Sequence, residues 1–145
     1  MKNIWCIFLE GIISFSKEEI KKFMKEFDFS KNNGLISIVA QDYKTNEVLM
    51  VAFANEDAVK ETLVSGIVTY WSRSRNKLWK KGESSGHVQK LRQAFLDCDG
   101  DCLLVKVEQV KAACHTGYFS CFYRELAKSG FQIIGKKIFD PEKVY

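Results

Sequence analysis

The sequence predicts an α+β fold: a mainly antiparallel β-sheet with a few short helices. Three observations point there. Apolar, partly β-branched runs of strand length recur at residues 35–40, 48–53, 67–71 and 103–110. Turn-forming residues separate the strands, as at Asn32-Asn33-Gly34. Two helix starts carry residues that can cap them, Ser16 and Asn55.

The elements follow in chain order. Residues 4–15 are apolar and suit a strand or a packed arm. Ser16 and Glu19 form an S-x-x-E capping box, which satisfies two free backbone donors at a helix start. Ile20, Phe23, Met24 and Phe27 then recur at helical spacing, the pattern of an amphipathic helix docked on a core rather than on a membrane. After the Asn32–Gly34 turn, residues 35–40 read as a strand and 42–47 as a hairpin loop. Residues 48–53, Val-Leu-Met-Val-Ala-Phe, are apolar enough for a strand buried on both faces. Asn55 caps a short helix with Glu56 and Asp57 in its first turn, and Gly66 is placed to end it. Residues 67–71 return as a strand. Residues 91–97 suit a strand, although Val88, Leu91, Ala94 and Phe95 also fall at helical spacing. In 103–110, Leu103, Val105 and Val107 alternate with Leu104, Lys106 and Glu108, a strand with one wet face. Residues 119–126 suit a strand leading into a short helix, and the tail from Gly130 suits loose packing.

The 145 residues contain 46% hydrophobic and 28% charged residues and one proline, so one ordinary globular core is expected and disorder is not. No run approaches the roughly 18–20 apolar residues of a membrane span. Lys2 precedes the apolar residues 4–9, but Glu10 interrupts them and no cleavage site follows. The chain therefore reads as soluble and cytoplasmic. The formal net charge of +4 is mild, compatible with a phosphate-bearing ligand and too low to demand nucleic acid. Five cysteines cannot all pair internally, which suits free thiols or metal ligation in a reducing compartment. Cys6 and Cys102 read as packing residues.

Two stretches carry chemistry. In Asp97-Cys98-Asp99-Gly100-Asp101, an extended backbone would place Asp97, Asp99 and Asp101 on one face and Cys98 on the other. Carboxylates are hard ligands that suit magnesium and thiolates are soft ligands that suit zinc, so one short strand could carry two metal sites. A solvated acidic turn is the plain alternative. An EF-hand is excluded because Cys102, not glycine, stands at its sixth position. Downstream, Cys114 and Cys121 lie seven residues apart, unlike the close pair of a zinc ribbon. Three thiolates plus water would make an open site in which zinc activates water. The zinc deaminase signature is absent, since Val88-Gln89 follows His87.

Between the strands, residues 71–87 mix Arg73, Arg75, Lys77, Lys80 and Lys81 with Trp71 and Trp79, interleaved by serines and glycines. Arginine forks, hydroxyls and glycine-freed amides hold phosphate, and tryptophan stacks on a base. A solvated basic hairpin, or sequence-tolerant binding of single strands, would use the same residues.

Four blocks together resemble the phosphoribosyl-AMP cyclohydrolase family of histidine biosynthesis. They are Leu49-Met50 to Asn55-Glu56; Tyr70 to Arg75 with Leu78 to His87; Asp97 to Asp101; and Ala113-Cys114-His115-Thr116-Gly117 with Ser120 to Arg124. They occur in the family's order across roughly residues 27–126, leaving 1–26 as an N-terminal arm and helix and 27–145 as the enzyme domain.

The resemblance implies hydrolytic opening of the adenine ring of N1-(5-phosphoribosyl)-AMP between N1 and C6, with zinc-activated water as nucleophile. It implies an intertwined homodimer with Zn2+ at the interface, held by Cys98 of one chain and Cys114 and Cys121 of the other. It implies Mg2+ on Asp97, Asp99 and Asp101. Proton transfer would fall to His115 first and His87 second. Substrate would be held by Trp71, Ser72, Arg73, Ser74, Arg75, Lys81, Ser85 and Arg124. No pyrophosphohydrolase domain follows the last block, so a monofunctional enzyme is expected. The rival reading is a non-enzymatic zinc module that binds nucleotides or single-stranded nucleic acid.

Overall fold

A computed structural model describes residues 11–143. Within them, α1 spans Lys17–Met24 and α2 spans Glu56–Ser65. The strands are β1 Ile36–Asp42, β2 Val48–Ala54, β3 Thr69–Ser72, β4 Lys77–Lys80, β5 Gln89–Leu96, β6 Cys102–Gln109, β7 Arg124–Ala127 and β8 Gly130–Ile133.

The main sheet has the order β2-β1-β6-β5. Its β1–β2 and β5–β6 pairs are antiparallel, while β1 runs parallel to β6 in the register Ser37↔Cys102 to Asp42↔Val107. Two hairpins, β3–β4 and β7–β8, stand outside it. The α+β class and mainly antiparallel sheet are as expected.

Both helix starts form as their sequences dictate. Ser16 and Glu19 make the reciprocal capping box, with Ser16 N–H donating to Glu19 Oε2 at 2.8 Å and Glu19 N–H donating to Ser16 Oγ at 3.2 Å. Asn55 Oδ1 accepts from Ala58 N–H at 2.9 Å, and Gly66 closes α2 in the left-handed region. Phe27 lies beyond the end of α1.

The core forms where β1 and β6 lie side by side. Ile36, Ile38 and Ala40 alternate inward from β1, and Leu103, Val105 and Val107 from β6, as the alternation in β6 requires. Ala58, Val59 and Leu63 of α2, Leu91 of β5 and Tyr70 of β3 complete the cluster, and Ile20 of α1 joins it. Tyr70 Oη donates to Gln89 Oε1 at 2.6 Å, so this buried hydroxyl is satisfied.

Three expectations are corrected. The first concerns β2, which is an edge strand rather than one buried on both faces: Val48 and Val51 are 41% and 50% exposed. Residues 97–101 form a turn joining β5 to β6, not an extended strand. The strand expected at 91–97 forms, as Gln89–Leu96, and the helical spacing there makes no helix. The stretch 119–126 contains no helix; a coil leads into the β7–β8 hairpin. At the N-terminus, Ile13 N–H donates to Leu91 O at 2.9 Å and Phe15 N–H to Leu63 O at 2.9 Å, a packed arm. Residues 4–10, including Cys6, lie outside the described residues.

Candidate active site

The acidic turn gathers its carboxylates by turning rather than by strand alternation. Asp97 Oδ1 accepts from the N–H groups of Asp101 at 3.1 Å and Cys102 at 3.2 Å. That closure brings one oxygen from each of Asp97, Asp99 and Asp101 within 4.8 Å of the others. Gly100, at φ +78°, packs its Cα against the chain at 26–28, where a Cβ would overlap the Glu26 carbonyl oxygen.

A cation already faces this cluster. Lys31 Nζ lies 2.9 Å from Asp99 Oδ2, 3.4 Å from Asp101 Oδ2 and 3.9 Å from Asp28 Oδ2. Its hydrogen bond lowers the Asp99 pKa, whereas desolvation and the neighbouring acids raise that of Asp101. The donor set is all hard oxygen and attracts a cation, which fits magnesium.

The thiol pair is built at the opposite end of the sheet. Cys114 N–H donates to Tyr118 O and Gly117 N–H to Cys114 O, folding 114–118 into a tight loop. Cys121 N–H donates to Leu49 O at 2.8 Å and Ser120 Oγ to Val48 O at 2.6 Å, which anchors the loop's far side on β2. The two sulfurs approach closely. The Cys121 thiol is pushed up to about 11, first by desolvation and then by the Cys114 sulfur, with the Lys81 ammonium opposing. Two paired soft donors beside a cation suit zinc, whose binding would take the protons from both.

Cys98 does not join them within one chain. It is exposed on the acidic turn, and among the described residues the carboxylates alone form a metal-capable cluster of three. The turn sits where Leu96 pairs with Leu103; the thiol pair sits near the end where Gln89 pairs with Gln109. Six to eight strand residues separate these ends, roughly 20 Å.

A cavity of about 360 Å³ opens beside the thiol pair, lined among others by Arg75, Trp79, Lys81, Glu83, Ser85, His115 and Cys121. Lys81 Nζ donates to Ala113 O at 2.6 Å; burial lowers its pKa, with the Cys121 and Cys114 sulfurs opposing. The wall folds sharply at Gly82, at φ +80°, where any Cβ would strike the backbone of His87. A second cavity of about 450 Å³ is lined by Trp71, Ser72, Arg73, Ser74, Arg75 and Trp79 against residues 51–53 of β2. Arg75 and Trp79 border both. Ser72 Oγ accepts from Arg75 N–H at 3.3 Å, shaping the β3–β4 turn, and the Arg73 guanidinium stacks 4.1 Å from the Phe53 ring.

The two histidines differ. His115 is exposed and lines the first cavity. His87 is 3% exposed, lines neither cavity and meets Phe139 edge-on at 4.8 Å. Its Nδ1 has no hydrogen-bond partner among the described residues, and burial followed by the charges of Lys111 and Lys81 lowers its pKa. Arg124 also lines neither cavity; its guanidinium lies over the Phe131 and Tyr123 rings. Sequence reasoning gave no role to Met50 and Glu83, which line the first cavity inside the quoted blocks, nor to Lys31, which meets Asp99 across 68 residues.

Comparison with known proteins matches residues 50–123 to the family described as phosphoribosyl-AMP cyclohydrolase. A phosphoribosyl-AMP cyclohydrolase from Methanoregula boonei is 61% identical over 112 residues, covering 77% of this chain and 89% of its own. One from Desulforapulum autotrophicum is 56% identical over 124 residues, covering 84% and 99%. The histidine biosynthesis bifunctional protein HisIE of Thermoanaerobacter pseudethanolicus is 52% identical over 126 residues, which are 87% of this chain and 58% of that protein.

Proposed function

Since the chain belongs to the phosphoribosyl-AMP cyclohydrolase family, we propose that its two adjoining cavities bind and open the adenine ring of N1-(5-phosphoribosyl)-AMP. It is an enzyme of histidine biosynthesis, a hydrolase acting on a small nucleotide. Membership decides against the non-enzymatic zinc module.

The observation that carries the residue assignment is the convergence of Lys81, Ser85, His115 and Cys121 on one cavity that shares Arg75 and Trp79 with a second. The substrate has two phosphates and one purine. Ser72, Arg73, Ser74 and Arg75 offer hydroxyls and guanidinium forks to one phosphate, and Lys81 with Ser85 offers charge and a hydroxyl on the other side. Trp79 and Trp71 offer faces on which the purine can stack. Arg124 would need a rearrangement of its ring contacts to reach either phosphate.

N1 substitution makes the purine cationic and C6 electrophilic. Water adds through oxygen to C6, the N1–C6 bond breaks, and one water proton must end on N1 as C6 becomes a carboxamide. His115, exposed in the cavity wall, is placed to take that proton and return it. His87, buried and held towards its neutral form, supports the 81–88 loop from behind. Cys98 of one copy with Cys114 and Cys121 of another would hold zinc, which would supply Lewis acidity, and Asp97, Asp99 and Asp101 would hold magnesium, which would supply positive charge.

Cys98 gathers with neither thiol in one chain, which supports a homodimer in which each site draws on both chains. A cytoplasmic location is part of this proposal; among the described residues no helix is long and apolar enough to cross a membrane. The division into an arm and helix at 1–26 and an enzyme domain at 27–145 is likewise proposed; Ile20 packs into the same core as the enzyme domain.

Turnover of phosphoribosyl-AMP, lost on zinc chelation and restored by zinc, tests the reaction. Sharing is tested by refolding inactive Cys98→Ala and inactive Cys121→Ala chains together. Random pairing makes half the dimers mixed, each with one complete site of two, so about a quarter of full activity returns. No recovery from well-folded mixed dimers refutes sharing.

A further inference from the structure

We propose that Lys31 is the built-in counter-cation of the acidic turn, so that a divalent cation enters only by displacing its ammonium. The inference rests on reading Asp97, Asp99 and Asp101 as a cation site and adds a residue that sets its affinity.

The geometry is specific. Lys31 Nζ bonds to the Asp99 carboxylate at 2.9 Å and to the Asp99 backbone oxygen at 3.3 Å, and it lies 3.4 Å from Asp101 Oδ2. It therefore spans two of the three gathered carboxylates. It is held there by its own loop. Asp28 N–H donates to Gly100 O at 2.8 Å, and Ser30 N–H donates to Asp28 Oδ1 at 2.9 Å. Ser37 N–H donates to Asp101 O at 3.2 Å, so β1 clamps the other side. The loop at 28–31 and the acidic turn form one unit, and the ammonium is its cationic part.

Magnesium bonds carboxylate oxygens at about 2.0–2.1 Å and tolerates little distortion of its shell. An ammonium 2.9 Å from the same Asp99 oxygen would lie a few ångströms from such an ion, with like charge. Both cannot hold the cluster, and the lysine has solvent to swing into, its side chain being 42% exposed. Displacement consequently subtracts from cation affinity. For an exposed ion pair shared between two carboxylates the effect is about tenfold at low salt, and it shrinks as salt screens the pair.

The experiment is calorimetric titration of magnesium into the purified full chain at low and high ionic strength, with thermal melting in parallel. Wild type, Lys31→Met, Lys31→Gln and Asp99→Asn are compared. Lys31→Met and Lys31→Gln are expected to bind magnesium about tenfold more tightly at low salt and by a smaller margin at high salt. Their metal-free forms are expected to melt below wild type and to gain more from magnesium. Unchanged or weaker magnesium binding in both lysine variants, with binding abolished by Asp99→Asn, overturns the displacement proposal and leaves the cation site standing. If wild type binds no magnesium and Asp99→Asn changes nothing, the cation-site reading falls and this proposal with it.

Discussion

Replacing Gly100 by alanine isolates what holds the acidic turn together. Gly100 sits at φ +78°, where an L-residue pays roughly 1–2 kcal/mol. Its added Cβ would overlap the Glu26 carbonyl oxygen and stand 3.1 Å from Asp28 N, so the turn must move off the 26–28 segment. That movement breaks the 2.8 Å hydrogen bond from Asp28 N–H to Gly100 O, worth about 1 kcal/mol. The total is about 2–3 kcal/mol, a fall of about 6–10 °C in Tm for a chain of this length. Gly34→Ala is the internal control. Gly34 has nearly the same φ, +83°, with nothing within 4 Å of its missing Cβ, so it carries the backbone cost alone. Urea denaturation of both variants at fixed metal concentration gives the comparison. Gly100→Ala should exceed Gly34→Ala by at least about 1 kcal/mol and also weaken magnesium binding. Equal destabilisation would refute the contact between the turn and the 26–28 segment.

Three further outcomes are expected. Tyr70→Phe strands the buried Gln89 Oε1 and should cost about 1–3 kcal/mol in urea denaturation; a loss under about 0.5 kcal/mol would show that the pair is replaced without penalty. Ser16→Ala removes one half of the capping box and should cost about 1 kcal/mol, read as a lower Tm. His87 has a folded pKa below its ordinary 6.5, so its stabilising contribution is complete above pH 6.5 and is lost as pH falls through the folded value. His87→Gln should flatten that acid-side loss in a pH series of urea denaturation curves, and an unchanged slope would exclude His87 as its source.

What the sequence disclosed depended on how local the determining contacts are. Ser16 with Glu19, and Asn55 with Gly66, act within one or two helical turns, so both helix starts and the end of α2 were readable from residue type. The alternation of Leu103, Val105 and Val107 marked the buried face of β6. The gathering of Asp97, Asp99 and Asp101 was anticipated from alternation along a strand, yet it arises from a turn closed by the Asp97 carboxylate and opened to a positive φ by Gly100. Gly and Asp there were turn signals in their own right. The parallel pairing of β1 with β6 joins segments 65 residues apart at Ser37 and Cys102, and nothing local encodes it. The same holds for Lys31, whose role at Asp99 depends on two loops meeting. Residues 119–126 suit a strand leading into a short helix, but the strand at Arg124–Ala127 is followed by residues 128 and 129, which close a tight hairpin on Gly130. That hairpin leaves Arg124 with Phe131 rather than at a cavity.

The separation of the two half-sites has a chemical logic on the proposed reading. Carboxylates and thiols want different surroundings. The acidic turn is exposed and offset by an ammonium, which keeps its charges tolerable in the absence of a divalent ion. At the thiol pair, desolvation and the Cys114 sulfur raise the Cys121 pKa. Placing both on one surface would set three carboxylates beside two potential thiolates and raise every one of their pKa values by like-charge repulsion. Holding them at opposite ends of the β5–β6 hairpin avoids that repulsion in the separate chain. Cys98, inside the acidic turn, would then link the two on that reading: docking a turn from one copy against the thiol pair of another would deliver the third soft ligand and the three carboxylates in one step, next to His115 and the basic cavity wall. Assembly of the dimer and completion of the catalytic site would be the same event.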